Sequence, residues 1–514
     1  MSAAADLLLH NARVITMDAA RPGATMVAIK GNRILKMGSG ENISSCQGPG
    51  TRVIDCQGKT VLPGFVDAHC HPLALASHLL SVDCGPQAVT SIADIQNRIR
   101  QRAGQTPKGD WIRATGYHEF YLAEGRHPQR QDLDQATPDH PIKLTHQSGH
   151  ACVLNTLALK LLNITAETPE PEGAIIERDL ESGEPNGVLF EMNACVDGLM
   201  PPLSATDLEK GAELADRQFL SQGITSVRDA TWGDAPRRWH SLRRLQEEEG
   251  FRPRVSMMIG VDEIDQWEAA GLKSEKETTL RQNGVKVVIH TTRGSLHPPQ
   301  DQLNRLVLEV HRRGHQLALH AVELETVKAA VTALEHALRK EPRPDHRHRI
   351  EHCSVCPPAL VQRIRSIGAV VVTQPPFIFY NGNRYLATVA PEEQPWLYPI
   401  GSLLASGVRV AGSSDTPVVS ASPLVGIYAA VNRLTQTNRP LGRNEAVSVL
   451  EALAMYTIEG AFSSFEENVK GSIAEGRLAD LVVLSEDPTS VPPERLKELE
   501  VVMTILDGRV VWQK

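Results

Sequence analysis

Eight short apolar segments recur through the middle of the chain, at 64–71, 224–230, 254–260, 285–290, 316–321, 348–353, 369–374 and 408–415. Most gaps after the second segment hold helix-period stretches, as at 301–313 and 327–339. Apolar strands that alternate with helices call for a parallel sheet covered on both faces. Eight such units predict an α/β chain folded as a (β/α)8 TIM barrel over 64–471. The first gap is too long for one helix. Residues ~80–220, rich in Pro, Gly and His, therefore read as an insertion after barrel strand 1, elaborated over the barrel mouth.

The two chain ends have a different rhythm. Short strands are expected at 7–15, 26–30, 33–37, 52–54 and 60–62, with turns at Gly31-Asn32, Gly48-Pro49-Gly50 and Gly58. Near the other end, 479–484 reads as a strand, and 501–506 and 509–512 as a hairpin around Asp507-Gly508. Neither end is large enough for its own core, so 1–63 and 472–514 are expected to build one small sheet domain together.

Composition narrows the function classes. Of 514 residues, 41% are hydrophobic and 22% charged, an ordinary globular balance that excludes disorder, collagen and coiled coil. A net charge of −8 argues against an electrostatic nucleic-acid partner, and 4% aromatics against a base-stacking platform. No run approaches the ~18 apolar residues of a membrane span. The opening Met1-Ser2-Ala3-Ala4-Ala5-Asp6 lacks a basic stretch and carries an early acid, so no secretory signal is expected. Eight scattered cysteines read as reduced thiols in a cytoplasm rather than a disulfide framework. No interface signature stands out, and self-association of an exposed β domain is left open.

A barrel places its reactive residues at the C-terminal ends of its strands. Strand 1 ends Asp67-Ala68-His69-Cys70-His71, and period 2 puts His69 and His71 on one face, roughly 6.6 Å apart. Strands 5, 6 and 8 end in His320, His352 and Asp415. One His at a strand end is ordinarily a hydrogen-bonded polar residue, and an Asp before Thr-Pro a turn or cap. Together, a His-x-His pair, two single His and an Asp make a metal cup, with N and O donors suited to Zn²⁺ and open to Fe, Mn or Co. Lys286 sits inside the apolar strand 4, where a free ammonium beside a cation is costly. Carboxylated by CO2, it becomes an anionic ligand able to bridge two metals; the plainer alternative is a Lys paired with an acid. Cys353-Ser354-Val355-Cys356 lacks a second Cys pair and reads as structural, as does Cys70.

The segment Thr60-Val61-Leu62-Pro63-Gly64-Phe65-Val66-Asp67-Ala68-His69-Cys70-His71 resembles the opening of the amidohydrolase superfamily. Gly471-Ser472-Ile473-Ala474-Glu475-Gly476-Arg477-Leu478-Ala479-Asp480-Leu481-Val482-Val483-Leu484 resembles its return into the β domain. Ser148-Gly149-His150-Ala151-Cys152-Val153-Leu154-Asn155 and Gly187-Val188-Leu189-Phe190-Glu191 are similar to the amidohydrolase-3, or YtcJ-like, branch. The resemblance implies a composite β-sandwich beside the barrel, with one or two divalent ions held by His69, His71, His320 and His352. It makes Asp415 ligand and proton shuttle, and Lys286 the position that many relatives carboxylate. The branch usually follows that lysine with Asp-Gly where this chain has His290-Thr291. It usually reads His-Ala-x-Gly-Asp where this chain has His320-Ala321-Val322-Glu323-Leu324.

The expected reaction is hydrolysis of a C–N bond in a small amide, N-acyl or cyclic amide, with metal-activated water and Asp415 moving the proton. Substrate contacts are expected from His118, His146, His150, Arg228 and His290, and from Tyr380, Asn381 and Arg384 in a loop after strand 7. The competing readings are a mononuclear deaminase of a small heterocycle with unmodified Lys286, and an inactive scaffold, which the intact ligand set disfavours.

Overall fold

A computed structural model describes residues 4–39, 43–272 and 279–514, so that residues 1–3 of the opening read above lie outside the described residues. The chain forms two compact units. The first comprises Met1–Pro72, Asp216–His290 and Pro298–Lys514; the second comprises Leu73–Ala215 with Thr291–His297.

The first unit contains the barrel. Its strands are Phe65–Cys70, Ile224–Asp229, Arg254–Gly260, Leu280–Val288, Leu317–Ala321, Arg349–His352, Val370–Thr373 and Val410–Gly412, hereafter barrel strands 1 to 8. They pair in parallel in chain order. Strands 1, 2 and 3 are buried at every residue, which is why they read as unbroken apolar runs rather than alternating ones. The ends of the ladder meet where Asp415 N–H donates to the His69 carbonyl and His71 N–H to the Thr416 carbonyl, both at 2.9 Å. The helices foreseen in the fourth and fifth connections are Gln300–Arg312 and Leu324–Lys340. Each buries one face, Leu303, Val307 and Val310 in the first and Val327, Val331 and Leu334 in the second.

Strands from both chain ends share a sheet in the same unit. Thr60–Pro63 pairs antiparallel with Leu481–Leu484, which continues into Val501–Leu506 and Arg509–Gln513. A second, four-stranded sheet holds Leu7–His10, Met26–Lys30, Arg33–Gly38 and Arg52–Asp55. Leu7, Leu9, Val27, Ile29, Val61, Leu481 and Ile505 lie in one buried cluster. The single strand foreseen at 7–15 is two strands in different sheets, because Asn11 takes a left-handed φ of 50° and lets the chain cross over. Asp507 and Gly508, at φ 54° and 75°, form the tight turn that their sequence demands.

The second unit has its own six-stranded sheet, ordered Ile175–Arg178, Pro185–Phe190, Ala151–Leu154, Ile142–His146, Ile112–Tyr117 and Val82–Asp83. Ile95, Ile112, Leu133, Leu144 and Val188 pack in its core. Thr291–His297 joins it through Arg293–Glu170 (2.7 Å) and Thr292–Glu191 (3.2 Å). Among the described residues all eight cysteines are free thiols, and no helix is long and apolar enough to cross a membrane.

Arg254 of barrel strand 3 grips Asp480 with two bonds (2.7 and 3.1 Å) and Asp507 with a third (2.8 Å), tying barrel to β domain. Removing one partner of a buried pair costs about 3–5 kcal/mol. Asp480→Ala is therefore expected to lower the thermal midpoint by several degrees, and an unchanged midpoint would refute this tie.

Candidate active site

The seam of the barrel gathers the chemistry. His69 and His71 project from one face at the end of strand 1. Glu351 Oε2 lies 2.5 Å from His69 Nδ1, and an ionised carboxylate only accepts, so Nδ1 carries the proton and Nε2 presents a lone pair. Thr231 Oγ1 lies 2.8 Å from His71 Nδ1 and fixes that ring from behind. The Nε2 atoms of His69 and His71 stand 3.4 and 3.2 Å from Asp415 Oδ1.

Strand 6 adds His352 by an unusual route. Arg349 and Glu351 take up one face of the strand, and alternation would send His352 the other way. Its backbone instead enters the left-handed region (φ 68°), followed by Cys353 at 51°. The turned imidazole donates Nδ1–H to Gln374 Oε1 at 2.8 Å, and its Nε2 is buried without a hydrogen-bond partner. The ring centroid of His352 is 4.9 Å from that of His69 and 4.4 Å from that of His320. Lys286 Nζ, in strand 4, is 3.4 Å from His69 Nε2 and almost fully buried. All six residues expected to hold metal are thus neighbours in one cluster.

Electrostatics suit a cation. Burial, reinforced by the Lys286 charge, pulls His69 down to about 3, against the pull of Glu351. Burial takes His352 to about 4, with Asp415 opposing. Both imidazoles are therefore neutral and able to ligate at pH 7. Burial opposes ionisation of Asp415, yet its bond to His71 and the nearby His69 and His352 hold it well below the usual carboxylate range. Burial brings Lys286 down to about 8, Glu351 and Asp415 resisting. Donors around tetrahedral zinc, with bonds of ~2.0–2.1 Å, stand about 3.3 Å apart. The 3.2 and 3.4 Å separations at Asp415 match that edge, and the partnerless His352 Nε2 is a buried acceptor in need of a positive partner. These residues fit a divalent metal.

Several supporting residues were not foreseen. Glu351 is fully buried and fixed by Arg349 through two bonds (2.7 and 2.9 Å), while Arg349 also donates to the Ala68 carbonyl at 2.7 Å. Asp67 accepts from Ser414 N–H (3.0 Å) and Oγ (2.5 Å), stitching strand 1 to the strand-8 loop. The available signal was the pair of charges in Arg349-Ile350-Glu351, spaced by two inside an otherwise apolar strand.

The expected substrate contacts divide. Arg228, predicted at the mouth, points to the opposite end. Its guanidinium donates to Asn283 O (2.6 Å), Gln316 Oε1 (2.8 Å), Ser464 Oγ (2.8 Å) and Ser463 O (3.2 Å), groups in the first half of strand 4, just before strand 5 and just beyond helix Ile458–Phe462. Gly284, at φ +93°, makes room for it, since a Cβ there would lie 2.6 Å from Arg228 Nη2. Tyr380, Asn381 and Arg384 stand in a helix, Pro376–Thr388, rather than a loop. Prolines open that helix, Phe377, Ile378, Asn381 and Tyr385 form its buried face, and Gly382 lies close against Thr435. Tyr380 is hydrogen-bonded to Ser420, and the Arg384 guanidinium sits 4.7 Å from the Tyr385 ring. His290 follows strand 4 and is half-buried. His118, His146 and His150 belong to the second unit, where the first two flank Glu119 and His150 Nδ1 is 3.1 Å from both oxygens of Glu191.

Two outcomes follow from this geometry. Loss of a carboxylate behind a ligating imidazole typically costs 10–100-fold in metal affinity. Glu351→Gln is expected to weaken metal retention by about that factor in competition with a chromophoric chelator, and unaltered affinity would contradict the role of Glu351. The pH dependence has a defined sign. Below about 6.5 the unfolded imidazoles take up protons that folded His69 and His352 refuse until about 3 and 4. The metal-stripped protein should therefore lose thermal stability as pH falls from 6.5 toward 4; a flat profile there would show these rings to be protonated in the fold.

Known proteins resemble this chain in sequence and in fold. The family model described as "Amidohydrolase family" matches residues 52–512. The N-substituted formamide deformylase of Arthrobacter pascens is 31% identical, over 99% of this chain and 98% of its own. The putative amidohydrolase YtcJ of Bacillus subtilis (strain 168) is 26% identical, over 98% and 99%. The crystal structure of an uncharacterized metal-dependent hydrolase from Pyrococcus horikoshii OT3 shares the fold, with TM-score 0.76 and 22% identity over 95% of this chain and 99% of that one. The chain belongs to the amidohydrolase family, and is a hydrolase acting on carbon–nitrogen bonds.

Proposed function

We propose that this enzyme hydrolyses the C–N bond of a small N-acyl compound, with N-substituted formamides as the leading class, using a divalent metal in the barrel cup. The observation that carries this reading is the convergence of His69 Nε2 and His71 Nε2 on Asp415 Oδ1 (3.4 and 3.2 Å) beside the partnerless, buried His352 Nε2. The formamide class is suggested by the deformylase relative, alike over nearly the whole of both chains.

His69, His71, His320, His352 and Asp415 would hold the ion or ions, zinc fitting the donor set, with Lys286 as a bridging carbamate. When bound, the cation makes water nucleophilic near neutral pH and polarises the carbonyl under attack. Asp415, ionised and buried, takes the proton from the attacking water and returns it to the leaving nitrogen. Water thereby adds to the acyl carbon, the C–N bond breaks, and a carboxylic acid (formate, for a formamide) and an amine are released. Lys286 is suited to carboxylation, because a pKa of about 8 leaves roughly a tenth of it as free amine at pH 7, the form that adds to CO2 with loss of a proton. Seven buried thiols are consistent with a reducing, cytoplasmic setting.

The test is amine release from a panel of N-substituted formamides, N-acyl amino acids and cyclic amides. Activity on formamides should disappear with chelation and return with Zn²⁺. Asp415→Asn should lower kcat by roughly 10²–10⁴-fold while the fold is kept. Near-normal turnover in Asp415→Asn would remove the proton shuttle, and ammonia release from a heterocycle alone would favour the deaminase instead.

A further inference from the structure

The second unit contains a donor cluster that the barrel chemistry does not use. Ile112–Tyr117 and Ile142–His146 are neighbouring parallel strands, with Tyr117 set opposite His146. The chain beyond the first strand, His118-Glu119, therefore arrives beside the imidazole of His146. Glu119 Oε2 is 2.9 Å from His146 Nε2 and 3.3 Å from His118 Nδ1. One donor atom from each of the three lies within 4.8 Å of the others. His118 and His146 are each only 8% exposed, and their ring centroids are 4.5 Å apart.

Three features distinguish this cluster from a simple His–Glu bond. Three imidazoles crowd one carboxylate oxygen: besides His146 and His118, His127 Nδ1 comes within 3.8 Å of Glu119 Oε2, beyond hydrogen-bond reach and already engaged by Tyr117 OH at 2.9 Å. The 2.9 and 3.3 Å separations are close to the edge of about 3.3 Å between donors on tetrahedral zinc. Finally, Ser148 Oγ lies 2.8 Å from His146 Nδ1, which also accepts from Ser148 N–H at 3.1 Å; a metal on Nε2 would move the ring proton to Nδ1, where Ser148 Oγ is placed to accept it. On His118, Phe120 N–H reaches Nδ1 at 3.2 Å, a bond that a ligand there would replace.

We propose that the second unit carries its own divalent transition-metal site, ligated by His118, Glu119 and His146, with solvent in the fourth position. The assignment moves His118 and His146 from substrate contacts to metal ligands, and does not depend on the reading of the barrel.

The experiment measures metal per chain after loading full-length protein with Zn²⁺ and desalting, for wild type, His118→Ala/His146→Ala, the near-isosteric Glu119→Gln and the barrel variant His69→Ala/His71→Ala. The same proteins loaded with Co²⁺ are compared by visible absorption. Both second-unit variants should lose about one ion per chain that the barrel variant keeps, together with a distinct part of the Co²⁺ spectrum. Equal metal content and an equal spectrum in wild type and folded Glu119→Gln would overturn the proposal, even if the double variant fails to fold. Ions lost only in the barrel variant would also overturn it. Ions lost only in the second-unit variants would uphold it while overturning the barrel cup.

Discussion

A buried carboxylate organises this enzyme. Glu351 lies in the barrel interior, where ionisation is unfavourable, yet Arg349 and His69 hold it well below the normal carboxylate range. Such an ion pair is a weak source of stability, since the Coulombic gain is spent against desolvation. Its consequence is positional: it fixes the proton of His69 on Nδ1 and so turns Nε2 toward Asp415. Arg349 bonds the Ala68 carbonyl next to that imidazole, so one charged unit orients both the side chain and the backbone of strand 1.

The cup is placed where the sheet closes. His69 and His71 end the first strand and Asp415 follows the last, and hydrogen bonds across that seam set their separation. Asp67 and Ser414 add a second tie across it. His352 and Asp415 both adopt left-handed backbone, at φ 68° and 58°, a conformation uncommon outside Gly and, among the other residues, best tolerated by Asn, Asp and His. Backbone strain of this kind concentrates at functional sites, where the surroundings overdetermine it. Here it turns His352 inward from a strand whose alternation would aim it elsewhere, while Asp415 takes the same backbone three residues past the end of strand 8. At the other end, Arg228 fills the barrel floor, accommodated by Gly284.

Much of this was legible in the amino-acid order. The barrel strands show as apolar runs because both faces are buried, and the cluster of His69, His71, His320, His352 and Asp415 shows because barrel strands carry chemistry at their C-terminal ends. The helix Pro376–Thr388 was missed because Asn381 and Gly382 read as loop residues, although Gly382 is required by its approach to Thr435. Arg228 was misplaced because its strand position carries no record of which end its long side chain reaches. Glu351 escaped because it adjoins His352 in a motif dominated by the histidine, and its function depends on a contact 282 residues away in sequence. The sheet of the second unit was invisible because its strands are short and divided by Pro- and Gly-rich connections.

The central claim is that imidazoles from strands 1, 5 and 6 share a metal with Asp415. Anomalous diffraction above and below the zinc edge, on crystals of protein purified without chelator, tests it most directly. The account predicts an anomalous peak about 2.0–2.2 Å from His69 Nε2, His71 Nε2 and an Asp415 oxygen. A barrel mouth with no such peak, in protein that also fails to bind zinc added at saturation, would contradict it.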